Sequence, residues 1–306
     1  MAKDDHLRQG ATVGVAVSVT AGSVSGMVAR AVTAPLDVIK IRLQLESYYN
    51  SHAKVPQYNG IIPTLKKIIA TEGGIKRLWK GNIPAEIMYM LYGATQFTCY
   101  STVNTFLTQT ENRHNFKVPV SLHSLILGSV SGVFSTLVSY PFDVLRTRLA
   151  SNRSKHFASM FGCSIDMLKH EGIKSFYSGI GTAVSGVSLS MGLTFFAYEF
   201  LRNLDSHYDE LAFIEPISGF MAGIIAKSST FPLDLIRRRL QVHRKWLGHE
   251  RETFMTISKK IFIREGLRGF YSGLTPALLK TAPTTAISIW TYEYVVRGLE
   301  KAQAFG

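Results

Sequence analysis

The stretch "PLDVIKIRLQ" (residues 35–44) follows a run from Val13 to Ala34 that is apolar or small apart from a few hydroxyls and Arg30. A segment that reads as a membrane span thus ends in a proline, an aspartate and two cations. The stretch returns as "PFDVLRTRLA" (141–150) and "PLDLIRRRLQ" (232–241), with P-x-D-x-x-[K/R]-x-R intact each time. Upstream of each proline stand two glycines four residues apart, Gly22 and Gly26, Gly128 and Gly132, Gly219 and Gly223. That spacing lets helix backbones approach closely in a bilayer. Downstream come "EGGIKRLWKG" (72–81), "EGIKSFYSG" (171–179) and "EGLRGFYSG" (265–273). The chain is a unit of about 100 residues repeated three times, divided at 1–110, 111–208 and 209–306.

Each repeat holds two long apolar segments, at 13–41 and 83–108, 120–149 and 180–202, 211–240 and 274–297. A bilayer crossing needs about 20 residues, so these predict six transmembrane helices. Between the two segments of a repeat lies a short amphipathic piece such as "IIPTLKKIIATEG", suited to an interfacial helix. The expected fold is an all-α membrane protein of six transmembrane helices in three pseudo-symmetric repeats, with short amphipathic helices on one side. Mean hydropathy is only +0.11, because polar and small residues are scattered through the spans, which points to a water-filled interior.

A formal charge of +13 in 306 residues calls for an anionic partner: nucleic acid, an anionic lipid surface or an acidic small molecule. A nucleic-acid-binding protein should carry its cations as a continuous exposed stripe with aromatics, whereas here they alternate with spans. Cys99 and Cys163 are too few for a disulfide framework. No nucleophile elbow, metal-ligand cluster or phosphate-binding glycine loop stands out, so neither an enzyme nor a cofactor is expected. "MAKDDHLRQG" lacks the character of a cleavable targeting peptide. The loops within repeats hold most loop cations, among them Lys66, Lys67, Lys169, Lys174, Lys259 and Lys260. Cation asymmetry places those loops on one side and both termini on the other.

Asp37 and Lys40, Asp143 and Arg146, and Asp234 and Arg237 are each three residues apart on one helical face. They read either as three local surface pairs or as a ring in which the aspartate of one helix meets the cation of the next. Charges at such depth normally face an interior and pair there, and a ring of this kind closes a gate that charge and nearby water keep breakable.

The threefold P-x-D-x-x-[K/R]-x-R with its distal E-G-aromatic-x-G element resembles the mitochondrial carrier family of solute transporters, over essentially the whole chain. The resemblance implies a multi-pass protein of the mitochondrial inner membrane, with termini toward the intermembrane space. It implies alternating access by a monomer in contact with membrane lipid, cardiolipin in particular. Asp37, Asp143, Asp234, Lys40, Arg146 and Arg237 then match the family's matrix gate, with the amphipathic helices on the matrix side. Gln44 and Gln241 match its bracing glutamines, and repeat 2 has Ala150 instead. The cytoplasmic gate is degenerate: the family pattern is complete only as Tyr198, Glu199 and Arg202, whereas Glu293 is followed by Val296 at the basic position.

Arg30 lies seven residues before Asp37, roughly 10 Å deeper on the same face, and Lys227 stands in the same relation to Asp234. The residues seven after Gly81, Gly179 and Gly273 are Met88, Gly186 and Lys280, which resemble the family's substrate contact points. Arg30, Lys227 and Lys280, with no carboxylate expected at their level, suit a phosphorylated small molecule; the alternative for such cations is snorkelling to the headgroups. Gly186 with Val187 resembles the small-apolar pair that in the family contacts a planar base; the alternative is helix packing. Glu86 is a lone carboxylate that could meet a cationic heterocycle or sit near the interface. Tyr92 and Gln96 share a face with Met88. Within the family, "SGMVARAVTAPLDVIKIRLQL" and "WKGNIPAEIMYMLYGATQF" resemble thiamine pyrophosphate carriers. Thiamine pyrophosphate exchanged against a phosphorylated metabolite or nucleotide is therefore the expected transport, with an adenine nucleotide or coenzyme A as the alternative.

Overall fold

The computed structural model describes residues 15–49, 60–114, 118–152, 159–205, 214–242 and 252–304. Six long helices, α1 (Val15–Tyr49), α3 (Asn82–His114), α4 (Val120–Ser151), α6 (Ile180–Asp205), α7 (Ile214–Val242) and α9 (Leu274–Ala304), correspond to the six expected spans. Between the members of each pair lies a short helix, α2 (Ile61–Thr71), α5 (Met160–His170) and α8 (Phe254–Gly269). Their amphipathic pattern buries Thr64 and Ile68 of α2, Cys163 and Met167 of α5, and Ile257 and Ile261 of α8. No strand occurs among the described residues.

The long helices form a closed ring: α3 packs on α4, α6 on α7, and α9 returns to α1. Large apolar side chains such as Ile83, Phe97, Phe106, Leu279 and Trp290 are exposed on the outside, an apolar surface far beyond what water tolerates. Of the described helices only α4, over Leu122–Ser151, joins length to high mean hydropathy, 1.5. The scattered hydroxyls that dilute the signal elsewhere satisfy themselves locally. Thr98, Thr102, Thr105 and Thr110 of α3 each donate to the carbonyl four residues back, and Ser131, Ser135 and Ser139 form the same ladder on α4.

Pro35, Pro141 and Pro232 lie inside α1, α4 and α7. A proline cannot donate to the carbonyl four residues before it. In repeat 1 the carbonyl so released, Ala31, accepts the indole N–H of Trp79 at 2.7 Å. In repeats 2 and 3 the residue before the proline is aromatic instead, and Tyr140 stacks with Tyr177 and Phe231 with Tyr271. Ser178 and Ser272, which stand where the family resemblance leads one to expect a cation, donate their hydroxyls to the carbonyls of Leu240 and Leu43 on the neighbouring repeat.

The glycine that closes each E-G-aromatic-x-G element seats one repeat on the next. Gly81, Gly179 and Gly273 have φ of 87°, 81° and 85°, the left-handed region that glycine adopts at little cost. A Cβ at Gly81 would lie 2.8 Å from the Arg146 carbonyl of α4, and one at Gly273 3.2 Å from the Lys40 carbonyl of α1. Gly81→Ala is therefore expected to lower the unfolding midpoint in detergent by several degrees, from a backbone strain of about 1–3 kcal/mol plus the clash. Gly22→Ala, where an added Cβ meets nothing within 4 Å, should leave the midpoint unchanged or raise it slightly.

Candidate functional site

The motif's closing arginine anchors each repeat. Arg42 bonds Glu72 at 2.6 Å, Arg148 grips Glu171 through two bonds of 2.5 and 2.7 Å, and Arg239 grips Glu265 at 2.7 and 3.0 Å. Each arginine also donates to a backbone carbonyl of the next repeat: Arg42 to Asn152, Arg148 to Gln241, Arg239 to Gln44. These pairs were absent from the sequence reading, although the paired recurrence of the arginine and the E-G glutamate was a readable signal.

The first basic position and the aspartate form a ring on two of its three edges. Arg146 of α4 meets Asp37 of α1 at 2.5 Å, and Arg237 of α7 meets Asp143 of α4 at 2.7 Å. Asp143 is further held by Arg238 at 2.9 Å and by the side-chain amide of Gln241 at 2.6 Å, whose oxygen accepts from Thr147. The third edge differs from expectation. Asp234 is bonded by Lys227 of its own helix, while the Lys40 ammonium lies 5.6 Å from the centroid of the Phe231 ring. Lys227 reaches Asp234 because seven residues are nearly two full turns, so it arrives from the same face. Gln44, expected to brace this edge, has neither its amide nitrogen nor its oxygen in a hydrogen bond among the described residues.

A cavity of about 310 Å³ lies over this ring, within the usual range of about 300–1,000 Å³ for small-molecule sites. Lys40, Arg146, Lys227, Arg237, Arg238 and Lys280 contribute cations to its wall, in excess over the carboxylates of Asp37, Asp143 and Asp234; Met88, Tyr89, Tyr92 and Val187 contribute apolar and aromatic surface. Lys280 of α9 crosses to Asp37 of α1 at 2.6 Å. The expectation that Arg30, Lys227 and Lys280 lack carboxylates at their level therefore fails for the two lysines, since both reach down to the ring. Arg30 does not line this cavity; it lies over the Tyr89 ring, 3.9 Å from its centroid. Arg146 donates to the same tyrosine's hydroxyl at 3.2 Å. Tyr89 and Arg238, both missed in the sequence, were legible only as the neighbour of Met88 and as one extra arginine in "IRRRLQ".

The remaining expected residues are more scattered. Gly186 faces Leu233 of α7, with 3.8 Å available to an added Cβ, a helix-packing position, while its neighbour Val187 reaches the cavity. Gln96 is half-buried further along α3 and outside the cavity wall. Both Glu86 carboxylate oxygens are buried without a hydrogen-bond partner among the described residues. On the opposite side, Glu293 pairs within its own helix with Arg297 at 3.5 Å, both side chains exposed. The side chains of Glu199 and Arg202 lie outside the described residues.

Six long helices, three marked by an interior proline and three entered through a seated glycine, closed around a cation-rich cavity define a membrane solute carrier. The family model for "Mitochondrial carrier protein" matches residues 11–111, 118–208 and 210–303, and the chain belongs to the mitochondrial carrier family. It is similar to the proteins named mitochondrial thiamine pyrophosphate carrier 1 of Lodderomyces elongisporus (46% identity over 96% of this chain and 94% of the relative), Meyerozyma guilliermondii (45%, 97% and 99%) and Candida albicans (44%, 98% and 97%).

Breaking a buried ion pair leaves an uncompensated charge and costs about 3–5 kcal/mol, whereas exposed pairs contribute under about 1 kcal/mol. The Arg148 and Glu171 side chains are 2% and 5% exposed, those of Glu293 and Arg297 59% and 75%. Glu171→Gln should consequently lower the unfolding midpoint far more than Glu293→Gln, as read by thermal unfolding of the purified chain.

Proposed function

We propose that this chain exchanges thiamine pyrophosphate across the mitochondrial inner membrane, against a phosphorylated metabolite or nucleotide, by alternating access as a monomer. The observation that carries this is the cation-walled cavity above the ring; full-length relatives named for thiamine pyrophosphate support the choice of solute. A diphosphate is matched by charge-assisted bonds from cavity cations. Lys280 is well placed to change partners, because Asp37 keeps Arg146 when Lys280 turns to the solute. Met88, Tyr92 and Val187 offer surface for the heterocycles, and the buried Glu86 carboxylate, on which Arg30 acts electrostatically, suits a cationic ring. Gln96 and the packing glycine Gly186 stand outside this contact set. The ring of Asp37, Arg146, Asp143, Arg237 and their neighbours serves as the matrix gate, with Gln241 as its brace. Glu199, Arg202 and Glu293 form the opposite gate, both termini face the intermembrane space, and cardiolipin is the membrane partner.

Binding a solute to both gate states but best to the intermediate between them offsets the cost of parting charged pairs. Uptake of labelled thiamine pyrophosphate into liposomes holding the purified chain tests the proposal. Fast uptake is expected with internal thiamine pyrophosphate or a nucleotide and little with empty liposomes. Exchange of ATP or coenzyme A without thiamine pyrophosphate uptake would overturn the solute. Asp37→Lys, which sets a third cation against Arg146 and Lys280, should reduce the exchange rate at least about tenfold, from loss of a buried pair; unchanged exchange counts against the gate.

A further inference from the structure

One edge of the ring is braced by its own motif and another is not. Gln241 stands four residues after Arg237 on α7, donates its amide to Asp143 at 2.6 Å and accepts from Arg238 at 3.0 Å. Gln44 stands in the same place after Lys40, but four residues after Arg146 comes Ala150, which has no hydrogen-bonding side chain. The edge between Arg146 and Asp37 meets Tyr89 of α3 instead. Arg146 bonds Asp37 through Nη2 at 2.5 Å and donates from Nη1 to the Tyr89 hydroxyl at 3.2 Å. Its guanidinium carbon also lies 5.6 Å from the centroid of that ring, which Arg30 covers at 3.9 Å. A guanidinium is a rigid planar fork, so a bond at one terminal nitrogen fixes where the other points. The direction matters here, because Arg146 acts electrostatically on Asp143 of its own helix as well as on Asp37.

We propose that Tyr89 is a positioning residue of the gate: its hydroxyl and ring take the place of the glutamine that repeat 2 lacks and aim Arg146 at Asp37. This rests on the carrier reading above and adds to it a residue that acts through Arg146. Tyr89 also lines the cavity, so the brace sits where a passing solute meets the gate. Gln241 works on the carboxylate of its edge and Tyr89 on the cation of its own, which decides what its loss does. Asp37 keeps a second cation in Lys280 at 2.6 Å, and it is Arg146 that loses its fixed direction. An unbraced arginine must recover one orientation among many rotamers each time the edge closes, an ordering cost that rotamer-rich side chains carry. Removing the hydroxyl therefore slows closure behind the solute and leaves the solute's own contacts in place.

The test is exchange by the full chain in liposomes, with maximal rate and half-saturation measured separately for labelled thiamine pyrophosphate and labelled ATP. The wild-type chain judges the carrier reading and its solute. The brace is judged by the ratio of variant to wild type on whichever solute the wild type exchanges. Tyr89→Phe keeps the ring beneath Arg30 and removes only the hydroxyl. It is expected to lower the maximal rate on the order of fivefold, from loss of one bond to a charged group, with half-saturation within about twofold of wild type. A higher half-saturation at an unchanged maximal rate makes Tyr89 a solute contact and overturns the assignment, as does a Tyr89→Phe chain with both values unchanged. Ala150→Gln supplies the missing glutamine at the place equivalent to Gln44 and Gln241, both fully buried. Added to Tyr89→Phe, it should restore the maximal rate to within about twofold of wild type; a folded double variant that stays slow overturns the brace. The single variant decides alone where the double one does not fold.

Discussion

Everything in this fold depends on a buried arginine that faces two ways. Arg42, Arg148 and Arg239 are buried, and a buried charge must be paired and hydrogen-bonded to be tolerable. Each meets that demand with the E-G glutamate of its own repeat and a carbonyl of the next. The first bond ties the short helix back to the long one; the second ties repeat 1 to 2, 2 to 3, and 3 back to 1. A guanidinium does this because it carries five donors in a fixed fork, which a lysine ammonium lacks. The glycines at 81, 179 and 273 reinforce the same direction by letting each repeat lie directly on the backbone of the next.

On that threefold base the cavity face is asymmetric. Asp143 is saturated by Arg237, Arg238 and Gln241, a dense network in which each bond polarises the next. Asp37 shares two cations from two other repeats, and Asp234 has a lysine of its own helix. Position 41, 147 and 238 illustrates the cause: isoleucine, threonine and arginine occupy equivalent places, so the three edges cannot bond alike. Symmetry holds where residues close the ring and ends where they face a solute that has no threefold symmetry itself.

Much of this was legible without coordinates, for reasons that differ by residue. Triplication, the six spans and the aspartate-cation ring are one-dimensional signals, recurring at fixed intervals or running for the length a bilayer demands. Helical spacing pointed Lys227 and Tyr92 toward the interior, while Met88, Val187 and Lys280 were singled out by the resemblance to the family's contact points; all five line one cavity wall. Gly186, for which helix packing was the alternative, and Gln96 lie outside that wall, because a residue's face on its own helix does not say which neighbour that face meets. Spacing also missed Tyr89, whose ring lies beneath Arg30 and whose hydroxyl accepts from Arg146, a contact among three helices of two repeats.

The sequence by itself determined the architecture: three repeats, six helices, a proline and a charged pair at the same depth in each odd span, and a cation-rich interior. Only the tertiary structure decided which charges meet. Lys280 lies 243 residues from Asp37 and bonds it across the ring, Lys227 and not Lys40 makes the bond to Asp234, and Gln241 braces where Gln44 does not. The physical reason is reach. A lysine's four-carbon stem covers several ångströms in any direction, so once helices converge each carboxylate has more than one cation within range. The choice is then made by the packing around it, which no spacing along the chain encodes.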